Sequence, residues 1–169
     1  MREGAHARGR PREVYVAAIR RSCMTQPEHV LVPLDGSPLA DEALSHALAT
    51  FDCRVTVLNV VTPLDAGMVE GGILEPDDER VAAARERAER LVDRAAERAA
   101  AEGRTVDTVV DTGDPADTIL EAVEERDVDH VVMGGHGGDS GSIARRLLGT
   151  VATAVVGGAN VTVTVVRDD

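Results

Sequence analysis

The stretch MGGHGGDSGSIARRLLGT, Met133 to Thr150, carries the residue types best suited to chemistry in this sequence. Glycines crowd together directly after an aliphatic run, and an apolar segment with two arginines follows them. A glycine-rich turn that leads into a helix presents main-chain N–H groups, and the positive end of the helix dipole adds to their potential. The pattern therefore indicates an anion site, typically for phosphate; the alternative is a flexible surface loop.

The spacing of these glycines excludes two well-known phosphate loops. A Walker A loop requires a lysine, and the chain has none. A dinucleotide fingerprint that starts at Gly135 and Gly137 needs a third glycine where Ser140 stands, and the loop follows the fourth predicted strand, not the first. The sequence also contains no ordered triad, metal cluster or acid–base pair, so we predict no catalytic and no metal-ligating residues.

The elements that position the loop alternate between strand and helix. Helices are predicted from Pro38 with Ser37 as cap, over Asp77 to Glu102, from Pro115 with Asp114 as cap, and over Ser142 to Val156, ended by Gly157 and Gly158. Strands are predicted at His29–Leu34, Arg54–Val61, Thr105–Thr112, Asp129–Gly134 and Asn160–Val166. This alternation predicts an α/β fold with a doubly wound parallel sheet, in which Asp35 and the glycine loop meet if strands one and four are neighbours.

Composition narrows the class of protein. Tyr15 and Phe51 are the sole aromatic residues, so the core must be aliphatic and base stacking on nucleic acid is not expected. The net charge of −12 also argues against DNA binding, and no apolar run is long enough to cross a membrane. We predict a cytoplasmic protein. An acidic, lysine-free surface suits a halophile, although a high-GC coding bias also replaces lysine by arginine.

The first residues differ from the rest. Residues 1–27 are rich in arginine, whereas the remainder is strongly acidic. We interpret them as a disordered extension or as an artefact of the assigned start, with Met24 as the true first residue; a transit peptide or a polyanion-binding arm is the alternative. Residues 28–169 are predicted to form one domain.

From His29 to Arg167 the chain resembles the universal stress protein family. That family's loop reads G-x2-G-x9-G-[S/T], and Gly134-Gly135-His136-Gly137 is similar to its first half and Gly149-Thr150 to its second. The spacing departs from the pattern, because eleven residues separate Gly137 from Gly149, or ten if Gly135 and Gly138 begin the match. VPLDGS, Val32 to Ser37, resembles the end of that family's first strand, and VLNVV, Val57 to Val61, is similar to the strand whose backbone contacts adenine.

The resemblance implies a Rossmann-like, adenine nucleotide alpha hydrolase-like sheet with strand order 3-2-1-4-5. It also implies a site for ATP, with or without Mg²⁺, in which Val60 contacts adenine and Gly134 to Gly138 wrap the phosphates and ribose. Asp35 is either a nucleotide ligand or a turn residue, and Arg145 and Arg146 either neutralise phosphate or face solvent. The residues implied to bind the nucleotide are Pro33, Asp35, Val60, Gly134, Gly135, His136, Gly137, Gly138, Gly149, Thr150 and Val151.

Two functions follow from the resemblance. The first is a dimeric, ATP-binding stress-response sensor or regulator, paired through the last strand, Asn160 to Val166, whose β-branched edge is a template for pairing. The second is a nucleotide-free scaffold for protein interaction, which the lengthened loop favours. Enzymatic activity is expected to be at most slow ATP hydrolysis or autophosphorylation.

Overall fold

The computed structural model describes residues 26–62, 78–135 and 148–167. Helices and strands alternate throughout these ranges. In chain order they are β1 (His29–Pro33), α1 (Pro38–Thr50), β2 (Arg54–Val61), α2 (Asp78–Ala101), β3 (Asp107–Thr112), α3 (Pro115–Glu125), β4 (His130–Gly134), α4 (Thr150–Gly158) and β5 (Thr162–Val166).

The strands form one parallel sheet in the order β3-β2-β1-β4-β5, which confirms the predicted fold class and strand order. The central strands are short runs of valine and leucine. Such runs suit a parallel sheet, because helices cover both of its faces and every side chain is buried. Strand order reverses between β1 and β4, so the crevice beside these two strands opens at the carboxyl edge of the sheet.

Each face of the sheet carries its own aliphatic core. Val30 and Val32 of β1 point to the face that α1 and α2 cover, where they pack against residues such as Leu44. Leu31 points to the opposite face, where α3 and α4 contribute Ile119 and Val155 among others. The period-two alternation of β1 thus places two pairs of helices on opposite faces, as the doubly wound prediction requires.

The local signals at two helix starts are confirmed. Ser37 accepts a hydrogen bond from the N–H of Ala40, and Pro38 occupies the first turn of α1. Asp114 accepts from the N–H groups of Ala116 and Asp117 at the start of α3. Each cap satisfies N–H groups that lack a partner inside the helix, and each places a helix start at the carboxyl edge of the sheet.

The structure contradicts the prediction for the last helix at Leu148 and Gly149 and again at Gly157 and Gly158. Leu148 and Gly149 are not helical, and α4 begins at Thr150 because Gly149 is extended, with φ −60° and ψ 160°. The helix also continues through Gly157 and Gly158, the predicted break. Gly158 lies against α3, where a Cβ would come within 2.8 Å of Leu120 Cδ1, so this glycine permits close helix packing. The predicted Ser142 start lies outside the described residues.

Other boundaries shift by one or two residues. The third strand begins at Asp107 instead of Thr105, the fifth at Thr162 instead of Asn160, and β1 ends at Pro33 instead of Leu34. The fourth strand starts at His130, one residue after the predicted Asp129. Asp129 instead accepts hydrogen bonds from the N–H groups of Glu28 and His29, which fastens β1 to the loop before β4.

The buried His29 and the half-buried His130 are expected to make the stability of the fold depend on pH. Nδ1 of His29 lies 3.0 Å from the carbonyl oxygen of Arg126 and Nε2 lies 2.8 Å from Thr56 Oγ1, so a neutral ring donates at Nδ1 and accepts at Nε2. Burial lowers the pKa of His29, and burial together with the nearby His46 lowers the pKa of His130.

We expect the free energy of unfolding to fall as the pH drops below the ordinary histidine pKa of 6.5. The unfolded chain binds protons first because the folded pKa values are lower, so protonation favours unfolding, and the loss ends once the folded histidines titrate. Denaturant titrations at pH 7.5 and 5 measure it. The loss should be smaller in His29→Gln and in His130→Gln than in the parent; equal losses in all three proteins contradict this assignment.

Candidate functional site

A cavity of about 550 Å³ opens at the carboxyl edge of the sheet. Its floor is made by the ends of β1, β2 and β4, and its walls are the turn after β1, the start of α4 and one side of α2. The volume falls within the roughly 300–1,000 Å³ of typical small-molecule sites. The cavity also lies where doubly wound sheets bind ligands, at the carboxyl ends of the strands beside the reversal of strand order.

Every predicted site residue that the structure describes lines this cavity. They come from four separate segments of the chain, and the fold brings them to one place. These residues are Pro33, Asp35, Val60, Gly134, Gly135, Gly149, Thr150 and Val151. The remaining predicted residues, His136, Gly137 and Gly138, lie outside the described residues, as do Arg145 and Arg146.

Asp35 shapes the turn that follows β1. One of its carboxylate oxygens, Oδ1, accepts a hydrogen bond of 2.9 Å from the N–H of Ser37. Gly36 between them has φ +81°, a conformation that glycine adopts without steric cost. The turn role that the sequence left open for Asp35 is therefore real, and Asp35 also lines the cavity with an exposed side chain.

Asn59 is a lining residue that sequence reasoning missed. Its Nδ2 donates to the carbonyl oxygen of Leu34 at 2.6 Å, and the N–H of Leu34 donates to the carbonyl of Leu58. These bonds tie β2 to the chain that leaves β1. An amide side chain inside the aliphatic run VTVLNVV was the available signal, because a polar residue in a buried strand needs a partner.

Val60 presents main-chain groups to the cavity. Main-chain groups alternate between the two edges of a strand; the carbonyl of Leu58 accepts from Leu34 on the β1 side, and that of Val61 accepts from Gly113 on the β3 side. The N–H and C=O of Val60 therefore point towards the β1 side of β2. They lie beyond the last β1–β2 pair, Pro33 and Leu58, so no described strand pairs with these two neighbouring groups.

Gly134 and Gly135 are required by packing. A Cβ at Gly134 would lie 2.9 Å from the carbonyl carbon of Leu39 and 3.0 Å from the nitrogen of Ala40, both main-chain atoms of α1. At Gly135 it would lie 2.9 Å from Val165 Cγ1 in β5. The absence of side chains lets α1 and β5 approach the end of β4, so these glycines have a structural reason independent of any ligand.

Two N–H groups of the glycine segments are already bonded inside the protein. The N–H of Gly135 donates to the carbonyl of Val166 at 2.7 Å, and the N–H of Gly149 donates to the carbonyl of Gly135 at 2.7 Å. The resemblance implied that such groups grip phosphate. Near these glycines, the N–H groups for which the described residues supply no acceptor belong to the three residues directly after Gly149.

The start of α4 supplies those donors. The N–H groups of Thr150, Val151 and Ala152 precede the first intrahelical bond, which runs from Thr153 to Gly149, and Gly149 has no side chain to cap them. All three residues line the cavity, and the described residues supply no acceptor for these N–H groups. A bound anion would accept hydrogen bonds here and interact favourably with the helix dipole. Ala152 was not predicted.

Charged lining residues are few. Among the described residues that line the cavity, Asp35 is the sole acid and Arg87, on α2, the sole base. Sequence reasoning missed Arg87.

No group of three or more histidine, cysteine, aspartate or glutamate side chains within the described residues is arranged to hold a metal ion. In the same part of the chain, no helix combines the length and apolarity that a membrane crossing needs.

Comparison with known proteins gives a consistent result. The profile of the universal stress protein family matches residues 27–167. A search of curated protein sequences found no match. Among solved structures, the hypothetical protein MJ0577 is 26% identical with a TM-score of 0.72, over 86% of this chain and 99% of that one.

Two further solved structures are universal stress proteins. The protein UspA from Lactobacillus plantarum is 24% identical, with a TM-score of 0.69 over 85% of this chain and 100% of its own, and shows the same fold. A universal stress protein solved in complex with cAMP is 25% identical, with a TM-score of 0.62 over 86% of this chain and 100% of its own.

Proposed function

Because this chain belongs to the universal stress protein family, we propose that it is a cytoplasmic stress-response protein that binds ATP in the cavity and acts as a homodimer. One observation carries the proposal. The residues that the family resemblance named, apart from those outside the described ranges, converge on a single cavity of suitable size. A similar protein of this family, 25% identical, was solved with cAMP.

In this proposal the adenine lies against the end of β2. The Watson–Crick edge of adenine carries an amino donor beside a ring-nitrogen acceptor. The neighbouring C=O and N–H of Val60 match these two groups, and the described residues do not pair them. The aliphatic side chains of Ile119 and Met133, which also line the cavity, supply apolar surface for the base.

The phosphates would lie at the start of α4. The three N–H groups of Thr150, Val151 and Ala152 form a small anion site, and the Thr150 hydroxyl adds a further donor. We include His136, Gly137 and Gly138 in the site on the strength of the family resemblance. Mg²⁺ typically binds one or two carboxylates together with phosphate oxygens, and Asp35 is the carboxylate of the described lining that fits this role.

One observation favours the nucleotide-free scaffold as a second candidate function. The N–H groups of Gly135 and Gly149, which belong to the family's loop motif, donate to main-chain carbonyls instead of pointing free into the cavity. Equilibrium dialysis of the full chain against ATP in molar KCl, with and without Mg²⁺, distinguishes the two functions. Saturable binding of one ATP per chain supports the proposal, and the absence of saturable binding supports the scaffold.

The dimer is proposed to form through the β5 edge. Within the described residues, β5 pairs with β4 on one side and has no strand on the other. The chain is 28% charged, yet no charged residue occurs from Leu148 to Val166, which spans α4 and β5. Val156 on α4 is 46% exposed. An uncharged edge on an acidic protein lets a second copy approach without charge repulsion.

A proline in β5 tests the dimer. The carbonyl of Val166 faces β4, so the N–H groups of Val163 and Val165 face outwards. Val163→Pro therefore removes a donor from the free edge while the β4–β5 hydrogen bonds stay in place. We expect this variant to be monomeric by light scattering at a concentration where the parent is dimeric.

Thr164→Pro is the matched control, because the N–H of Thr164 faces β4. It should lower the melting temperature more than Val163→Pro does. A Val163→Pro variant that keeps the parent's dimeric mass would contradict pairing through this edge.

A further inference from the structure

Arg87 lies on the side of α2 that faces the cavity. Ala84, Ala88 and Leu91 of the same helix line the cavity with it. Leu91 packs on the turn after β1, since its Cδ1 lies 3.0 Å from the position that a Cβ of Gly36 would take. Arg87 precedes Leu91 by one helical turn and therefore borders the same cavity.

Three other arginines of α2 form ion pairs with acidic side chains. Arg85 pairs with Glu89, Arg90 with Glu86, and Arg98 with Asp41 of α1. Arg87 differs because the positions three and four residues before and after it hold alanine, alanine, arginine and leucine. These are the positions from which a helix supplies an ion-pair partner, so none forms on α2 itself. The described residues place no carboxylate within ion-pair distance of it.

The charge of the protein makes this guanidinium significant. A nucleotide phosphate that approaches a chain of net charge −12 meets an unfavourable field unless positive groups lie at the site. The start of α4 reaches the cavity from one face of the sheet, and Arg87 on α2 reaches it from the other. The two positive groups therefore flank the cavity on opposite sides.

We infer that Arg87 binds a phosphate of the nucleotide and thereby selects phosphorylated ligands over the uncharged nucleoside. This role rests on the proposed function of the cavity. A guanidinium without a competing carboxylate forms charge-assisted hydrogen bonds with phosphate oxygens and has a long side chain with which to reach them. The charge of Arg87 discriminates between ATP and adenosine, because adenosine has the same base and ribose but no phosphate.

Arg87→Gln tests the inference in the full chain. Calorimetric titrations with ATP and with adenosine, in the lowest salt at which the protein stays folded, should show the affinity for ATP reduced by roughly tenfold, as expected for one charge-assisted contact. The affinity for adenosine should change by less than about twofold, because the variant removes no contact to base or ribose.

Arg94→Gln is the matched control. Arg94 lies two turns further along the same helix, is exposed and does not line the cavity, so this variant removes the same charge without touching the site. Both affinities should stay within about twofold of the parent. An unchanged affinity of Arg87→Gln for ATP, an equal loss for adenosine, or an equal loss in Arg94→Gln would overturn the role of Arg87. A parent that binds neither ligand would instead overturn the proposed function on which this role rests.

Discussion

Thr150→Pro is expected to weaken ATP binding by about 10- to 100-fold while the fold stays intact. The substitution removes the hydroxyl and one of the three N–H groups at the start of α4 for which the described residues supply no acceptor. Hydrogen bonds to charged groups contribute about 1.5–3 kcal/mol each. Proline suits this position, because residue 150 is the first of the helix and its N–H has no acceptor within the helix. Gly149, with ψ 160°, already has the extended conformation that precedes proline.

Two measurements make this prediction specific. Denaturant titration should show that the unfolding free energy of Thr150→Pro lies within about 1 kcal/mol of the parent. Thr150→Val removes the hydroxyl and keeps the N–H, so its loss of affinity should be clearly smaller than that of the proline variant. Parent-like affinity in Thr150→Pro would contradict a phosphate site at this helix start.

Gly134→Ala is expected to destabilise the fold by about 1–3 kcal/mol, the range typical of overpacked interiors. The new Cβ would meet main-chain atoms of Leu39 and Ala40 at 2.9 and 3.0 Å, and a main chain inside a helix cannot move aside as a flexible side chain can. Helix α1 must shift away from β4. Thermal or denaturant unfolding measures the loss.

Gly157→Ala is the control for the same change of side chain. A Cβ at Gly157 meets no atom within 4 Å, and the residue lies inside α4, so alanine should raise stability by up to about 1 kcal/mol. If Gly134→Ala is as stable as the parent, the close approach of α1 is not what requires this glycine. A loss of ATP binding in Gly134 variants must be corrected for stability before it is attributed to phosphate contacts.

The sheet and its order were predictable because their causes lie in local sequence. Short aliphatic runs such as VVM before Gly134 alternate with amphipathic helices. Ser37 and Asp114 are N-cap residues that indicate the starts of two of these helices. The strand order itself came from the family resemblance. The local signals and the resemblance together predict that the site residues from four segments of the chain meet at one edge of the sheet.

What sequence reasoning missed depends on tertiary contacts. The glycines at 157 and 158 indicate a break, yet α4 continues because Gly158 allows close packing on Leu120. The resemblance implies phosphate donors at the glycines as well as at Thr150 and Val151, whereas Gly135 and Gly149 use their N–H groups to join β4, β5 and the start of α4. The sequence does not distinguish Arg87 from the solvent-exposed arginines of α2, because only the packing of α2 on the sheet determines which side of the helix borders the cavity. Its lack of an acidic neighbour at helical spacing was the available signal.

The most direct test of the account is a crystal structure of the full chain grown with excess ATP and Mg²⁺. We expect density for the nucleotide in the cavity, with the adenine edge on the main chain of Val60 and phosphate oxygens within hydrogen-bond distance of the N–H groups of Thr150, Val151 and Ala152. A well-ordered structure in which ATP is absent from this cavity, or lies elsewhere on the protein, would contradict it.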